Sequence, residues 1–414
     1  MRSIKEICLI GVGPSSSHTM GPLNACKYVM NKYDNIKEII VVLYGSLAKT
    51  GRGHLTDKII NSTLKDIDHK IFFDVTKKTA HPNTMDVITV TKPFEFHKDR
   101  FVSIGGGSLI INGDRGSLPK EIYPEHNMNE ILAYCKKNNL TLLEYAHKYE
   151  DDDLDDYFGQ VVDEMANVAK CGMESKETVM PGDYHLERKA PKMYQDFLKL
   201  SIKQQAENMM SYMAIAAMAA SEENACGKNV VCAPTCGSSG VLPGIVSYLI
   251  KMDVSRKEII DGLIVGSLIG IVCKQNGSIS GAECGCQAEI GVASAIGAAA
   301  LAHIGGLNNL QITLAAENII EHSLGLTCDA IEGRVQIPCI NRNALYAMKA
   351  YDAYTLAKIM PEELCAVSLD DAIKAMKATG SDLKQGYKET AEMGLAKLFR
   401  EDKHKYQGDI NEWR

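Results

Sequence analysis

Three cysteine-bearing segments in the second half of the chain have the residue types to bind a metal. They read SGAECGCQAEIG around Cys284 and Cys286, HSLGLTCDAIEG around Cys328, and QIPCINRN around Cys339. Glycine, proline or a polar residue flanks each cysteine, which indicates thiols on loops or helix ends that face a cavity. Free cysteine also packs well as a small apolar residue, so filling of the core is the alternative for each of them.

The spacing of these cysteines narrows the kind of metal site. A zinc site usually shows two cysteines separated by two residues, and the sequence has no such pair. The four-cysteine run of a ferredoxin is also missing. Three separated cysteines would leave one iron of a [4Fe-4S] cluster without a protein thiolate, and that iron could accept a substrate oxygen as a Lewis acid.

The composition favours a small-molecule partner. The 414-residue chain has a net charge of -7, and its lysines and arginines are scattered, so we expect no nucleic-acid partner and no membrane partner. The N-terminus lacks the apolar run of a secretory signal, which predicts a cytoplasmic protein. In that reducing compartment the thirteen cysteines are not expected to form disulfides.

The elements that must position these groups begin with an α/β unit. Strand-like runs start at Ile36 and continue in KIFFDV, MDVITV and FVSIGGGSLIING. Helical patterns cover 20–30, before the first run, and 55–64, between the first two. The glycine triplet 105–107 lacks the lysine-serine pair of a phosphate-binding loop and predicts a bend or bulge instead.

Beyond Pro124 the sequence predicts helices and no further strand. The predicted helices cover 127–150, 154–171, 193–220, 259–273 and 288–303. The fold class is therefore α+β overall, with an N-terminal α/β domain followed by a nearly all-helical C-terminal domain that holds the cysteines. We place the first domain at 1–150, a helical and polar connector at 151–190, and the second domain at 191–414.

Five stretches resemble, in this order, the iron-sulfur L-serine dehydratases (L-serine ammonia-lyases) of bacteria. They are GPSSSHTMGP, LYGSLAKTGRGHLTDK, APTCGSSGVLPG, SGAECGCQAEIGVASA and EHSLGLTCDAIEGRVQIPCINRNA. The chain resembles the single-chain form, in which a beta-chain domain and an alpha-chain domain are fused. The resemblance implies β-elimination of water from L-serine, giving pyruvate and ammonia, with a [4Fe-4S] cluster whose open iron acts as a Lewis acid.

The resemblance also implies which cysteines bind the cluster. The family's ligands fall on Cys286 in GCQAE, Cys328 in GLTCD and Cys339 in QIPCI. Cys284 stands where the family usually has another residue, and we expect it to fill space. Cys236 occupies a variable position and is not counted as a ligand.

An amino-acid substrate presents a carboxylate, and two hydroxyl-rich stretches could bind it. GPSSSHTMGP and APTCGSSG both precede a predicted helix, whose N-terminus offers free N–H groups and a positive dipole end. A simple helix cap or a Gly-Ser turn is the alternative for each stretch. The predicted substrate-binding residues are Ser15, Ser16, Ser17, Thr19, Lys49, Thr235, Ser238 and Ser239.

Abstraction of the α-proton needs a base, and we predict His54 for that role. His54 follows the strand that ends near Ser46, at a sheet edge where α/β proteins commonly bind ligands. Histidine titrates near neutral pH and can accept a proton from carbon. His18 is the competitor. Asn341 and Arg342, next to Cys339, are predicted to orient the cluster ligands.

Other functions stay open at this point. A related lyase could act on L-threonine or L-cysteine, a pyridoxal-phosphate enzyme could perform the same elimination, and an iron-sulfur sensor would have no catalytic activity. A sensor cluster normally has four protein ligands, so the three cysteines argue against it. We expect a homodimer, the commonest oligomer. Family members of this form often end in a cysteine, whereas this chain ends in Asn411–Arg414.

Overall fold

The computed structural model describes residues 1–93, 95–114, 120–182, 184–361 and 365–401. The C-terminal tail discussed above lies outside these residues. The described chain has a mixed sheet in its N-terminal part and helices in its C-terminal part, which confirms the predicted α+β class. The described strands are β1 (Leu9–Val12), β2 (Ile36–Tyr44), β3 (Asp68–Asp74), β4 (Thr84–Thr91), β5 (Glu95–Ser103), β6 (Leu109–Ile111) and β7 (Asn229–Cys232).

The described helices follow the predicted segments in most places. They are α1 (Gly21–Lys32), α2 (Gly45–Thr50), α3 (Thr56–Thr63), α4 (Met128–Asn138), α5 (Leu142–Tyr149), α6 (Leu154–Met173), α7 (Ala190–Leu198), α8 (Ile202–Glu207), α9 (Met209–Ala225), α10 (Val241–Lys251), α11 (Arg256–Asn276), α12 (Gly281–Cys284), α13 (Val292–Ile304), α14 (Asn309–Glu321), α15 (Cys339–Ile359), α16 (Leu369–Asp382) and α17 (Leu395–Glu401).

Five strands form one sheet in the order β3-β2-β4-β5-β6. β2 and β3 run parallel and are connected through α2 and α3, whereas the other neighbours are antiparallel. Alternate residues of β2, namely Ile39, Val41 and Leu43, are fully buried. They pack in one core with Val29 of α1 and Ile60 of α3, as the period of two in a half-buried strand requires. The glycine triplet 105–107 forms the turn between β5 and β6, as predicted, and all three residues have positive φ.

Two predicted helices are wrong in their extent, because residues that cap helix ends divide each of them into shorter helices. The predicted helix 127–150 is two helices, since Asn139 adopts φ 53° after α4 and Thr141 then caps α5. The predicted helix 193–220 is three helices. Ser201 begins α8 with a capping box that includes Gln204, and Asn208 separates α8 from α9.

The prediction that strands end before Pro124 is also wrong. β7 pairs antiparallel with β1, with Leu9 opposite Cys232, and this two-stranded ribbon joins the N-terminal segment to the helical part. The chain forms a disulfide between Cys232 and Cys236, which corrects the expectation that no cysteine is paired. The residues that follow β1 and those that follow β7 both line the cavity described below.

Helix α13 lies at the centre of the helical part. Its residues from Val292 to Ala302 are buried, and it packs against α11, α14 and α15. Close approach to α11 depends on glycine, because a side chain at Gly266 would overlap the backbone of Ile296. The helical stretch 287–304 is long and apolar enough to span a membrane by composition, but 83% of it is buried inside the fold, as in the core helix of a globular protein.

A buried ion cluster fixes the segment before α7 to α9. The side chain of Arg188 is fully buried and pairs with Glu222 at 3.3 Å and with Glu223. Glu222 also accepts hydrogen bonds from the backbone N–H groups of Lys189 and Ala190 at the start of α7. Because both carboxylates depend on one guanidinium, removal of that group would leave buried charge without a partner.

We therefore predict that Arg188→Ala destabilises the protein by about 3–5 kcal/mol, the usual effect of breaking a buried ion pair. The control is Arg256→Ala, which removes an exposed pair with Asp163 and should cost about 0–1 kcal/mol. Urea unfolding followed by circular dichroism measures both. Equal effects of the two changes would contradict this account of the cluster.

Candidate active site

A cavity of ≈ 280 Å³ lies between the sheet-containing part and the helical part. Its walls bring together most of the predicted site residues, from segments far apart in the sequence. The polar and ionisable residues of interest that line it are Ser15, Ser16, Ser17, His54, His81, Asn83, Thr235, Cys286, Glu289, Cys328, Cys339 and Glu389.

The three predicted cluster cysteines line this cavity, and the part of the lining that they form is called the cysteine wall below. Cys286 lies between α12 and α13, Cys328 follows α14, and Cys339 begins α15. All three are buried. The Sγ atoms of Cys286 and Cys328 each lie 3.9 Å from Oε2 of Glu289, and these three ligand atoms are within 4.8 Å of one another. The wall therefore has the soft sulfur donors that iron-sulfur clusters use.

A single glycine separates Cys284 from Cys286. Gly285 adopts φ 74°, a conformation that favours glycine. Cys284 packs against Gly380 of α16, where an added side chain would overlap its sulfur. Cys284 also does not line the cavity, so this geometry fits the expectation that it fills space.

The opening hydroxyl-rich stretch is both a helix cap and a part of the cavity wall. Ser15 Oγ accepts a hydrogen bond from the backbone N–H of His18 at 3.1 Å, which makes it the cap of the helical turn that leads into α1. Ser17 Oγ lies 2.8 Å from Nδ1 of His18. Ser15, Ser16 and Ser17 still line the cavity, at the N-terminal end of a helix where an anion is favoured.

The two predicted histidines stack but differ in what their nitrogens contact. The ring centroids of His18 and His54 are 4.6 Å apart. Both ring nitrogens of His18 are engaged, Nδ1 by Ser17 and Nε2 by Ser46 at 3.0 Å, and the residue does not line the cavity. His54 Nδ1 lies 3.1 Å from the carbonyl oxygen of Thr50. A carbonyl only accepts, so Nδ1 holds the proton and the lone pair is on Nε2.

Burial sets the charge of both rings. Desolvation lowers the pKa of His54 to about 4 and the pKa of His18 well below its usual value. The imidazole of His54 is therefore neutral at pH 7 and can accept a proton at Nε2. Because His54 lines the cavity and His18 does not, the geometry favours His54 as the base.

Four of the predicted substrate-binding residues do not line the cavity. Thr19 Oγ1 donates to the carbonyl of His54 at 2.8 Å and so fixes the backbone of the predicted base. Lys49 pairs with the exposed Glu392 at 3.0 Å. Ser238 and Ser239 are buried. Their role as direct substrate contacts stays a prediction.

Thr235 does line the cavity and contacts a carboxylate that the sequence analysis left unassigned. Its Oγ1 donates to Oε1 of Glu289 at 2.8 Å. Glu289 belongs to the GCQAEIG motif around Cys286. Its place in that motif was the sequence signal that points to Glu289 as a site residue. A side chain at Gly281 would press on the Glu289 carboxylate and lie 3.4 Å from Cys328 Sγ, so this wall requires glycine there.

Three further cavity residues were missed. His81 and Asn83 precede β4 in the polar stretch AHPNT, which was a usable signal. Asn83 is buried, and its Oδ1 has no hydrogen-bond partner among the described residues. Glu389 had no clear signal, because it lies far along the chain from every predicted site residue.

The residues after Cys339 connect the cysteine wall to neighbouring loops. Arg342 donates to the carbonyl of Thr327, the residue before Cys328, at 2.8 Å. Its role in orienting a cluster ligand stays a prediction. Asn341 is exposed, and its Oδ1 lies 3.4 Å from Nζ of Lys189. The buried Asn343 makes three hydrogen bonds to backbone groups. Its Nδ2 donates to the carbonyls of Gly237 and Cys339, each at 2.9 Å, and its Oδ1 accepts from the N–H of Gly240.

We predict that Asn343→Leu, which has a similar volume, destabilises the protein by about 1–3 kcal/mol for each buried backbone group left unpaired. Asn341→Leu is the matched control, because that amide is exposed, and it should change the unfolding free energy by no more than about 0.5 kcal/mol. Denaturant unfolding measures both. A neutral Asn343→Leu variant would show that these hydrogen bonds do not hold the loop.

An α/β part and a helical part that share one cavity, with cysteine, histidine and carboxylate side chains on its walls, define an enzyme with a metal-binding active site. Comparison with known families specifies it further. The model of the serine dehydratase beta chain matches residues 3–70, and the model of the serine dehydratase alpha chain matches residues 77–396. The chain belongs to the serine dehydratase family, with both parts in one polypeptide.

Individual relatives agree over nearly the whole length. The L-serine dehydratase of Helicobacter pylori (strain J99) is 34% identical, with 96% of this chain and 99% of the relative covered. L-serine dehydratase 2 of Escherichia coli K12 is also 34% identical, covering 96% and 98%. The L-serine dehydratase of Streptomyces coelicolor is 33% identical, covering 95% and 98%.

Proposed function

We propose that this chain is an L-serine ammonia-lyase that eliminates water from L-serine and releases pyruvate and ammonia. One observation carries the proposal: the same cavity is lined by three cysteines and by a neutral histidine whose lone pair is on Nε2. The names of the relatives support the same reaction.

The residues on the cysteine wall fit a [4Fe-4S] cluster held by three protein thiolates. Cys286, Cys328 and Cys339 supply those thiols. Cys236, the other cysteine that lines the cavity, is bonded to Cys232 and has no free thiol to offer. When bound, such a cluster supplies a Lewis acid for the hydroxyl leaving group.

The protein's own groups would perform the remaining tasks. The hydroxyls of Ser15, Ser16 and Ser17, at a helix N-terminus, bind the substrate carboxylate. His54 Nε2 accepts the α-proton, since its Nδ1 is held by Thr50 and its ring is neutral. Loss of the proton and of hydroxide gives aminoacrylate, which tautomerises to an imine and hydrolyses to pyruvate and ammonia. The balance involves no net oxidation or reduction.

Anaerobic purification tests the proposal. We expect about four irons and four sulfides per chain, as the formula of the cluster requires, and formation of pyruvate from L-serine. L-Threonine and L-cysteine are tested alongside, because an added methyl group changes binding by only about 1–3 kcal/mol. Protein that contains iron and sulfide but forms no 2-oxo acid from any of the three would contradict the proposed activity.

We predict that Cys286→Ala, Cys328→Ala and Cys339→Ala each abolish cluster binding and pyruvate formation, because each removes one of three thiolate ligands. Cys284→Ala is the matched control, since its thiol packs against Gly380 and does not line the cavity. Iron and sulfide analysis with an anaerobic pyruvate assay measures all four. Loss of the cluster in the Cys284 variant would show that the ligand assignment is wrong.

The lowered pKa of His54 predicts the pH dependence of the reaction. The base must be neutral, so kcat/KM should stay constant as the pH falls below 6.5 and decline only as it approaches the His54 pKa of about 4.

The stability of the fold changes over a different pH range. The unfolded chain binds this proton near pH 6.5 and the folded chain does not, so stability decreases as the pH falls from about 6.5 towards 4.

Circular dichroism at each pH separates the two effects, and only the range in which the protein stays folded is used for the rate profile. His54→Ala should lower kcat by about 100-fold to 10,000-fold, the usual contribution of a general base. An acid limb in the folded range with a midpoint near 6.5 would contradict burial as the cause of the neutral imidazole.

A further inference from the structure

Glu389 lies in the cavity because its backbone is fixed to the cysteine wall. Its N–H donates to the carbonyl of Cys328 at 3.0 Å, and the N–H of Cys328 donates to the carbonyl of Tyr387 at 2.8 Å. Glu389 adopts φ 55°, a left-handed conformation that is unfavourable for a residue with a side chain. Such strain persists where the surrounding structure enforces it, and it is found most often at functional sites.

Glu389 lies close to the proposed base. Its Oε1 lies 3.7 Å from Nε2 of His54, which is neutral at pH 7 and brings no charge to the pair. The side chain of Glu389 retains 16% exposure and lines the cavity. A group bound between the cysteine wall and His54 would therefore meet this carboxylate.

The other carboxylates that line the cavity already accept hydrogen bonds from hydroxyl groups. Glu289 accepts one from Thr235 at 2.8 Å, and Glu283 accepts one from Ser278 at 2.6 Å. The two long basic side chains among the described lining residues are engaged elsewhere, since Arg2 and Lys274 both pair with Glu6, at 3.3 and 2.7 Å. The cavity therefore offers Glu389 no basic side chain among the residues that the structure describes.

The chemistry of an amino acid supplies what this carboxylate lacks. L-Serine has a carboxylate, a hydroxyl and an α-ammonium group, and the proposed function assigns partners to the first two only. The ammonium is one bond from the carbon whose proton His54 removes, so its partner must lie within a few ångströms of Nε2. Glu389 meets this condition at 3.7 Å, and a carboxylate forms strong charge-assisted hydrogen bonds with an ammonium group.

We propose that Glu389 recognises the α-ammonium group of the substrate and so makes the site specific for amino acids over hydroxy acids without an amino group. The proposal rests on the proposed function, because it places the α-carbon at His54. Glu389 therefore has a role of its own in substrate recognition. The cysteines bind the cluster, the serines bind the carboxylate and His54 accepts the proton.

The test compares L-serine with 3-hydroxypropanoate, which is the same molecule without its amino group. In Glu389→Gln, which keeps the size of the side chain and replaces the carboxyl group with an amide, KM for L-serine should rise about tenfold to a hundredfold while kcat changes little. The inhibition constant of 3-hydroxypropanoate should stay the same. Glu207→Gln, at an exposed position outside the cavity lining, should change neither constant.

Two results would overturn the proposal. Equal rises in KM and in the inhibition constant would mean that Glu389 only maintains the structure of the cavity. A fall in kcat with an unchanged KM would mean that it acts through His54. Iron and sulfide analysis of each variant confirms that the variants carry equal cluster content before the constants are compared.

Ligand binding separates this proposal from the proposed function. Thermal unfolding of the wild-type protein, with and without each compound, needs no turnover. If L-serine stabilises the wild-type protein but not the Glu389→Gln variant, ammonium recognition is supported. This conclusion holds even if the wild-type protein forms no pyruvate and the dehydratase proposal fails. Stabilisation by L-serine that is equal in the wild type and in Glu389→Gln would overturn the recognition role, whatever the activity.

Discussion

The hydrogen bond between His54 Nδ1 and the carbonyl of Thr50 fixes the tautomer on which the rest of the site depends. It leaves the lone pair on Nε2, and burial keeps the ring neutral. Thr19 holds the same residue from the other side through the His54 carbonyl. An α-proton is weakly acidic, so β-elimination of water requires a fixed, neutral base, and His54 lies in the same cavity as the three cysteines.

The cavity exists because distant segments are tied together across the two parts of the chain. The β1–β7 ribbon links the N-terminal segment to the helical part. Asn343 connects the start of α15, which carries Cys339, to the loop after Thr235. The segment that carries Glu389 pairs with Cys328 through the backbone. Each tie is made by buried backbone groups that need partners, so the walls are fixed by the same hydrogen bonds that stabilise the fold.

The sequence predicts the α+β class, most strands of the large sheet and most helices, since these follow from local periodicity. Of β5, only the last three residues fall in a predicted run. The sequence does not predict that the helices are interrupted at Asn139 and Ser201. Capping residues end or begin a helix there although the apolar periodicity continues. β7 is missed because a four-residue strand is recognisable only through its partner β1. The cavity brings together three predicted cysteines and His54, but Glu389 depends on tertiary pairing with Cys328, which no local pattern encodes.

The central claim is that three cysteine thiolates hold a four-iron cluster and leave one iron open to the substrate. Mössbauer spectroscopy of anaerobic protein reconstituted with ⁵⁷Fe, recorded with and without L-serine, tests it most directly. We predict that one iron in four changes its isomer shift and quadrupole splitting when L-serine is added, while the other three stay the same. A spectrum without a four-iron cluster, or one that L-serine leaves unchanged, would contradict the account.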